Sequence, residues 1–382
     1  MAAIVEPSSF EEAAEALAEA SSSHHSIRIR GAGTKAAWGA IAPEPDVELR
    51  TTALDRIVEH NAGDLTAELQ AGVPVARAQE TFAAASQMLA LDPPLGRGSD
   101  RFATIGGMIA TGDSGPLRHR YGAPRDLVLG MTVALSDGTI ARSGSKVIKN
   151  VAGYDIAKLF SGAFGTLGLI LSVSVRLHPL PMHSATALGA SDDAGTLSAA
   201  AAALIKAPLE LESLDVAWRG GRGGLLARCA GAETERRAAR VAELMRAHGL
   251  THVHFTDDDD ALWARQRAGQ RAQNGRAMVR IAAAPSKLAA ILALTEECSG
   301  TLVARAALGT SYVEVDPDAV PRLRAGLPPG ATAILLDAPP DLRQQLDPWN
   351  GSGVSALDLM RRVKQRFDPT GTCNPGLFVG GI

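Results

Sequence analysis

Apolar positions along this chain recur with two different periods, and their arrangement changes near residue 180. Phe10, Ala13, Ala14 and Leu17 return every three to four places behind Ser8 and Ser9, with Glu11 and Glu12 following at once. That pattern predicts a helix over 10–20, capped by a serine and started by acidic residues at its positive end. Alternation takes over at 26–30, 47–50, 56–60 and 66–71 and predicts short strands. A helix is predicted from Pro74 to about 86, then a loop at Asp92-Pro93-Pro94-Leu95-Gly96, then a short small-residue helix over 103–112. Strands recur at 127–135 and 139–143, on either side of a Ser136-Asp137-Gly138 turn, and at 167–177. Pro179 and Pro181 mark a boundary. Beyond it, helices predicted at 196–206, 233–248, 285–298 and 318–325 alternate with strand-like runs at 213–218, 224–229, 277–281 and 311–315. A last helix at 356–366 stops at Asp368-Pro369-Thr370-Gly371, and Asn374-Pro375-Gly376 makes a closing turn.

The expected fold class is α+β. A domain over 1–181 has strands paired by short turns. A smaller α+β domain over 182–350 has an antiparallel sheet covered by helices, with ferredoxin-like units as one form of it, although no sequence repeat marks a duplication. Residues 351–382 form a C-terminal segment. A length of 382 residues fits two domains better than one. A formal net charge of −3 without a basic block argues against nucleic acid. Cys229, Cys298 and Cys373 are too dispersed to ligate an iron–sulfur cluster and suit a reducing compartment. The first twenty residues carry glutamates and no apolar centre, so no signal peptide is expected. No long uncharged apolar run predicts a membrane span, and the expected address is cytoplasmic.

Candidate chemistry begins with glycine. Gly31-Ala32-Gly33-Thr34-Lys35-Ala36 follows a strand in the order of a dinucleotide fingerprint, but Gly39, Pro43 and Pro45 break the helix that a Rossmann unit needs there. A structural turn and a phosphate-cradling loop are the readings left, the latter because bare N–H groups form an anion nest without charged side chains. Gly106, Gly107 and Gly112 allow backbone to lie against a ring or diphosphate, or a close helix crossing. Gly162, Gly165 and Gly168 open into a strand and can also be a bulge. Three such clusters beside strands in one half of the chain point to a flavin dinucleotide.

The order of these segments resembles the flavin-binding domain of the vanillyl-alcohol oxidase / p-cresol methylhydroxylase family. It runs from Arg30-Gly31-Ala32-Gly33 through Thr104-Ile105-Gly106-Gly107 to Gly153-Tyr154-Asp155 and Gly165-Thr166-Leu167-Gly168. Within that family the pattern is most similar to the flavin subunits of glycolate oxidases. The segments 125–130, 149–155 and 368–376 carry that likeness. The resemblance implies a two-part FAD-binding domain, a cap domain and a C-terminal helix that returns to the FAD domain. It implies that Arg30, Gly31, Ala32, Gly33, Thr34 and Lys35 hold the diphosphate through backbone amides. Pro93, Thr104, Gly106, Gly107, Thr111 and Gly112 are implied to line diphosphate and flavin ring, with Gly162, Gly165 and Ile170 near ring, ribose or adenine. Relatives with a covalent flavin carry a histidine in the first loop. Thr34 and Lys35 stand there in this chain, so the FAD is expected to be dissociable.

Oxidation of a 2-hydroxy acid needs a cation for the carboxylate, a base for the hydroxyl proton and a hydride acceptor. Arg118, His119 and Tyr121, with Arg120 between them, are the candidates for the first two, against a plain surface reading. His252 and His254 form His-x-His, but the acidic run 257–260 follows, which fits the start of a helix better than a metal site. His24 and His25 lie in a polar loop. With no cluster to carry electrons onward, the resemblance implies partners: a sister flavin subunit and an iron–sulfur subunit, through which the chain is associated with a membrane. The alternative is a stand-alone FAD-dependent oxidase of another alcohol or 2-hydroxy acid such as D-lactate, or a flavin scaffold without turnover.

Overall fold

A computed structural model describes residues 2–96, 103–145, 155–351 and 354–382. The chain divides into two compact units. One contains Met1–Ser114, Tyr121–Leu180 and Gly351–Ile382, and the other Gly115–Arg120 and Pro181–Asn350.

The first unit is two-part and α+β. Its opening helix, Phe10–Ser22, is fixed where Ser9 Oγ accepts the Glu12 N–H at 3.1 Å and the Ser8 N–H donates back to the Glu12 carboxylate at 2.7 Å. The apolar stripe of this helix, Ala13 and Leu17 included, packs with Ile27, Leu49, Leu169, Leu171 and Cys373 in one core. Three short parallel strands, Ala3–Val5, Val47–Arg50 and Ile27–Arg30, make the smaller sheet. The larger sheet is antiparallel and five-stranded. Its order is Ile57–Asn61, Thr66–Gln70, Leu169–Arg176, Val128–Ala134, Ile140–Gly144. Helix Leu357–Phe367 returns to this unit, with Phe367 edge-on to Phe160 at 5.5 Å. In the last turn of this helix, Lys364 Nζ donates to the carbonyls of Thr166 (2.7 Å) and Cys373 (2.8 Å) and to the buried Asp368 carboxylate (2.5 Å).

The second unit carries one antiparallel sheet of eight strands. Its chain order repeats itself. Ser184–Ser191, helix Ala194–Lys206, Ser213–Arg219, Arg222–Ala230, helix Thr234–Ala247 and Thr251–Thr256 form a first β-α-β-β-α-β unit. Ala277–Ala282, helix Leu288–Glu297, Thr301–Arg305, Thr310–Val315, helix Val320–Ala325 and Thr332–Asp337 form a second. The two join where Ser213–Arg219 pairs with Thr301–Arg305, Val216 opposite Ala304. So the sheet is built of two ferredoxin-like units, although their sequences show no repeat.

Alternation sorts the faces of this sheet. Val216, Leu225, Val279, Leu302 and Val313 meet the helices in a continuous apolar core. Asp215 and Arg305 point to the other face, directly paired across the seam. Both are buried, and Gln270 also receives an Arg305 N–H.

Sequence and structure differ at particular elements. Strands Ala3–Val5, Ser184–Ser191, Thr301–Arg305 and Thr332–Asp337 were not expected. The second of them reads SATALGAS, nearly without the β-branched residues that announce a strand. The helix predicted to reach 86 ends at Ala83, and the one predicted at 318–325 begins as a 3₁₀ turn, Pro317–Ala319.

Candidate cofactor site

Within the first unit a cavity of about 350 Å³ opens between the two sheets. Its walls are the end of strand Ile27–Arg30 with the loop that follows, the short helix Ile105–Thr111, the turn at 164–168 leading into strand Leu169–Arg176, and the C-terminal turn. Glycine is needed in the first wall. A Cβ on Gly31 would lie 2.2 Å from Thr104 Oγ1, so only bare backbone lets the first loop touch the second. Gly33 sits at φ +74°, where a side chain would also strike the Arg30 guanidinium at 2.4 Å. The N–H groups of Gly31, Ala32 and Gly33 donate to no acceptor among the described residues. Thr104 caps the small helix through the Gly107 N–H at 3.3 Å, while the Gly106 N–H is bound to the Ala71 carbonyl at 2.8 Å.

The charges in the wall favour an anion. Arg28 Nε and Lys35 Nζ are buried without a hydrogen-bond partner among the described residues. Lys35 faces Asp113 at 3.1 Å, and its ammonium lies 5.8 Å from the Trp38 ring. Burial pulls the Arg28 guanidinium below its ordinary value, with Glu48 opposing. Burial also pushes the Glu48 carboxyl up, but Arg50 and Arg30 beside it outweigh that and hold it below its ordinary value. Unpaired amides and buried cationic donors without an aligned hydrogen bond, around a glycine-lined cradle, fit a diphosphate-bearing cofactor.

All six residues 30–35 line this one cavity, as do Thr104, Gly106, Gly107, Thr111, Gly165 and Ile170. Pro93, Gly112 and Gly162 stand outside the lining. Gly112 is the left-handed cap of helix Ile105–Thr111, and a Cβ there would be 3.5 Å from Gly162 Cα, so these two pack on each other. Gly153 and Tyr154, with the segment 149–152, lie outside the described residues, and Asp155 caps helix Ile156–Phe160. Arg118, His119 and Tyr121 form a four-residue helix that does not join the cavity. Arg120 donates to the Glu210 carbonyl at 3.3 Å, and the Tyr121 ring lies 4.7 Å from His178. His254 Nδ1 lies 2.9 Å from the His252 carbonyl, and no group of three or more His, Cys, Asp or Glu is arranged for a metal among the described residues. No helix among them is long and apolar enough to cross a membrane.

Sequence reasoning missed Arg28, Trp38, Glu48, Phe164, Leu377 and above all Asn374 in this wall. Asn374 Oδ1 accepts the Ile29 N–H at 2.8 Å, and its Nδ2 donates to the Phe164 carbonyl at 2.7 Å. It therefore ties opposite walls together. Its signal was the Asn-Pro-Gly turn, read as a stop rather than a clamp. Trp38 was visible as a large aromatic in a stretch of Gly and Pro.

Residues 1–144 match the family model described as FAD binding domain, and residues 351–377 match that of FAD linked oxidases, C-terminal domain. The matched segments are similar to those of FAD-linked oxidases, and an FAD-binding domain over residues 1–144 indicates FAD as the cofactor. The chain is similar to glycolate oxidase subunit GlcD of Bacillus subtilis (32% identical over 216 residues, 56% of this chain and 45% of that one). It is also similar to glycolate oxidase subunit GlcE of Escherichia coli (35% over 156 residues, 41% and 43%). A D-lactate dehydrogenase of Archaeoglobus fulgidus is 35% identical over 176 residues (46% and 38%). The matches span less than half the length of each of these three relatives. Among solved structures, a variant of Phl p 4, a glucose dehydrogenase, aligns over 98% of this chain and 89% of that one, with a TM-score of 0.69 and 13% identity, a likeness of fold.

Proposed function

We propose that this chain is a flavin-bearing subunit of a 2-hydroxy-acid oxidising complex, with glycolate as substrate and glyoxylate as product. Two electrons leave the substrate and pass to partner subunits, a sister flavin subunit and an iron–sulfur subunit. The observation that carries the reading is the main-chain cradle, with Arg28 Nε and Lys35 Nζ buried beside it and making no hydrogen bond among the described residues, in a chain similar to two different glycolate oxidase subunits. When bound, FAD supplies the hydride acceptor for a CH–OH group. The chain's own part is to seat the diphosphate on the amides of residues 31–33 and to hold the cavity walls together through Asn374. Residues 30–35, Thr104, Gly106, Gly107, Thr111, Gly165 and Ile170 are the FAD contacts in this reading, without a covalent bond to the flavin. The three cysteines are buried and free, and in this reading electrons leave through a partner subunit. Arg118, His119 and Tyr121 are kept as candidates for substrate contact. The address is cytoplasmic, with membrane association through the partners.

The absorbance spectrum of the purified chain, before and after acid precipitation, tests the cofactor. Flavin bands that move to the supernatant are expected. Glycolate is then mixed anaerobically with the chain alone and with co-purified partners, and bleaching of the flavin is followed. Bleaching only in the assembled complex supports the subunit reading. Full turnover by the isolated chain with D-lactate, which the D-lactate dehydrogenase likeness makes the second substrate to try, would replace it with a stand-alone enzyme.

A further inference from the structure

Lys35 is 5% exposed at the side chain and Asp113 is 3% exposed. Their charged atoms are 3.1 Å apart, yet Lys35 Nζ and Asp113 Oδ2 have no aligned hydrogen bond. An ammonium carries three N–H donors. Asp113 faces one side of the ammonium only, and donors left unmet on a buried charge are costly. Lys35 lines the cavity and Asp113 does not. Two residues before Lys35 lies Gly33, whose N–H, like those of Gly31 and Ala32, has no acceptor among the described residues. The pair also links two walls, because Asp113 follows Gly112, the cap of helix Ile105–Thr111.

Resting on the FAD reading above, we propose that Lys35 is the charged side-chain contact to the FAD diphosphate, and that Asp113 is the counter-ion that holds this charge buried before the cofactor arrives. The diphosphate is the partner rather than the flavin ring, because Lys35 belongs to the same loop as the unpaired amides of residues 31–33 and lines the same cavity. A lysine serves here as a point charge toward phosphate. When the diphosphate enters, the ammonium is shared between it and Asp113, and the unused donors find oxygen. Asp113 therefore competes mildly with the cofactor for Lys35.

The two residues have opposite expected effects. FAD is titrated into the flavin-free full-length chain at low and high salt, for the wild type and for Lys35→Met, Asp113→Asn and the double variant. Lys35→Met is expected to weaken binding at least tenfold, or about 1.4 kcal/mol, and to flatten the salt dependence. Asp113→Asn is expected to bind as tightly as the wild type or more tightly. The double variant removes both charges and so avoids a lone buried carboxylate. It is expected to remain folded and to bind as weakly as Lys35→Met. Recovery of wild-type affinity in the double variant would reduce the pair to a structural latch and overturn the proposal. An altered midpoint potential of the bound flavin in the double variant, with unaltered affinity, would put the charge at the ring and overturn it too. A wild type that takes up no FAD would instead defeat the cofactor reading itself.

Discussion

Replacing Asn374 by alanine tests whether one side chain holds the cavity together. Asn374 is buried, and its amide satisfies the Ile29 N–H in one wall and the Phe164 carbonyl in the other. Alanine leaves both groups without a partner, at about 1–3 kcal/mol each. Asn374 also sits at φ 44°, where a residue with a Cβ and no polar side chain loses roughly 1 kcal/mol more. The sum is about 3 kcal/mol or more. That corresponds to a fall of about 6 °C or more in the transition of the first unit. Calorimetry on the flavin-free protein reads the stability, and FAD titration reads the cavity, whose affinity is expected to fall at least tenfold as the walls separate. Asn374→Gly relieves the backbone strain but not the lost bonds, so it should recover only about 1 kcal/mol of the deficit. An alanine variant that melts within about 1 °C of the wild type, with unchanged FAD affinity, would refute the clamp.

Three further outcomes are expected. Gly107→Asp places a side chain 3.1 Å from the Thr104 cap and a negative charge in the wall, so the purified variant should be colourless; an unchanged flavin-to-protein absorbance ratio would contradict the assigned wall. Lys364→Met removes the counter-ion of the fully buried Asp368 carboxylate, which keeps the Thr372 and Cys373 N–H groups, and should cost about 3 kcal/mol by urea denaturation. Burial pushes the Asp215 carboxyl up to about 6 from 3.8, with Arg305 offsetting part of the rise. Between those values the folded chain keeps a proton that the unfolded chain has released. The stability from Asp215 is therefore complete below about pH 4 and lost as pH rises through about 6, on the order of 3 kcal/mol. Urea denaturation of the wild type and Asp215→Asn at several pH values isolates this term. A difference between them that does not fall across this window would show Asp215 charged throughout.

How much of this was legible depends on what makes each signal. The glycine clusters were legible because steric demands are local. Gly31 is needed for a contact with Thr104, but the demand for bare backbone shows in the sequence by itself. The helix caps were legible for the same reason, Ser9 and Glu12 being three residues apart. Asn374 was not, because its work is done on residues 345 and 210 positions away. Lys35 was named for its loop, but its buried partner Asp113 is a long-range fact. Strand Ser184–Ser191 escaped because its alanines, serines and glycine are held by neighbours on both sides, Arg222–Ala230 and Thr251–Thr256, rather than by propensity. The Pro179 and Pro181 boundary did not reveal that 115–120 goes with the second unit, because a six-residue excursion leaves no composition of its own.

The doubling of the eight-stranded sheet has a consequence for how that half of the molecule could be cut. Severed in the turn between Ala268 and Ala277, either half would keep its own helices but uncover the backbone edge of Ser213–Arg219 or Thr301–Arg305. A bare central edge seeks a partner. Each half would also carry one member of a buried ion pair, an acid on one and a base on the other. Two such fragments should thus find each other in preference to copies of themselves, since only the mixed pairing cancels the charge at the seam.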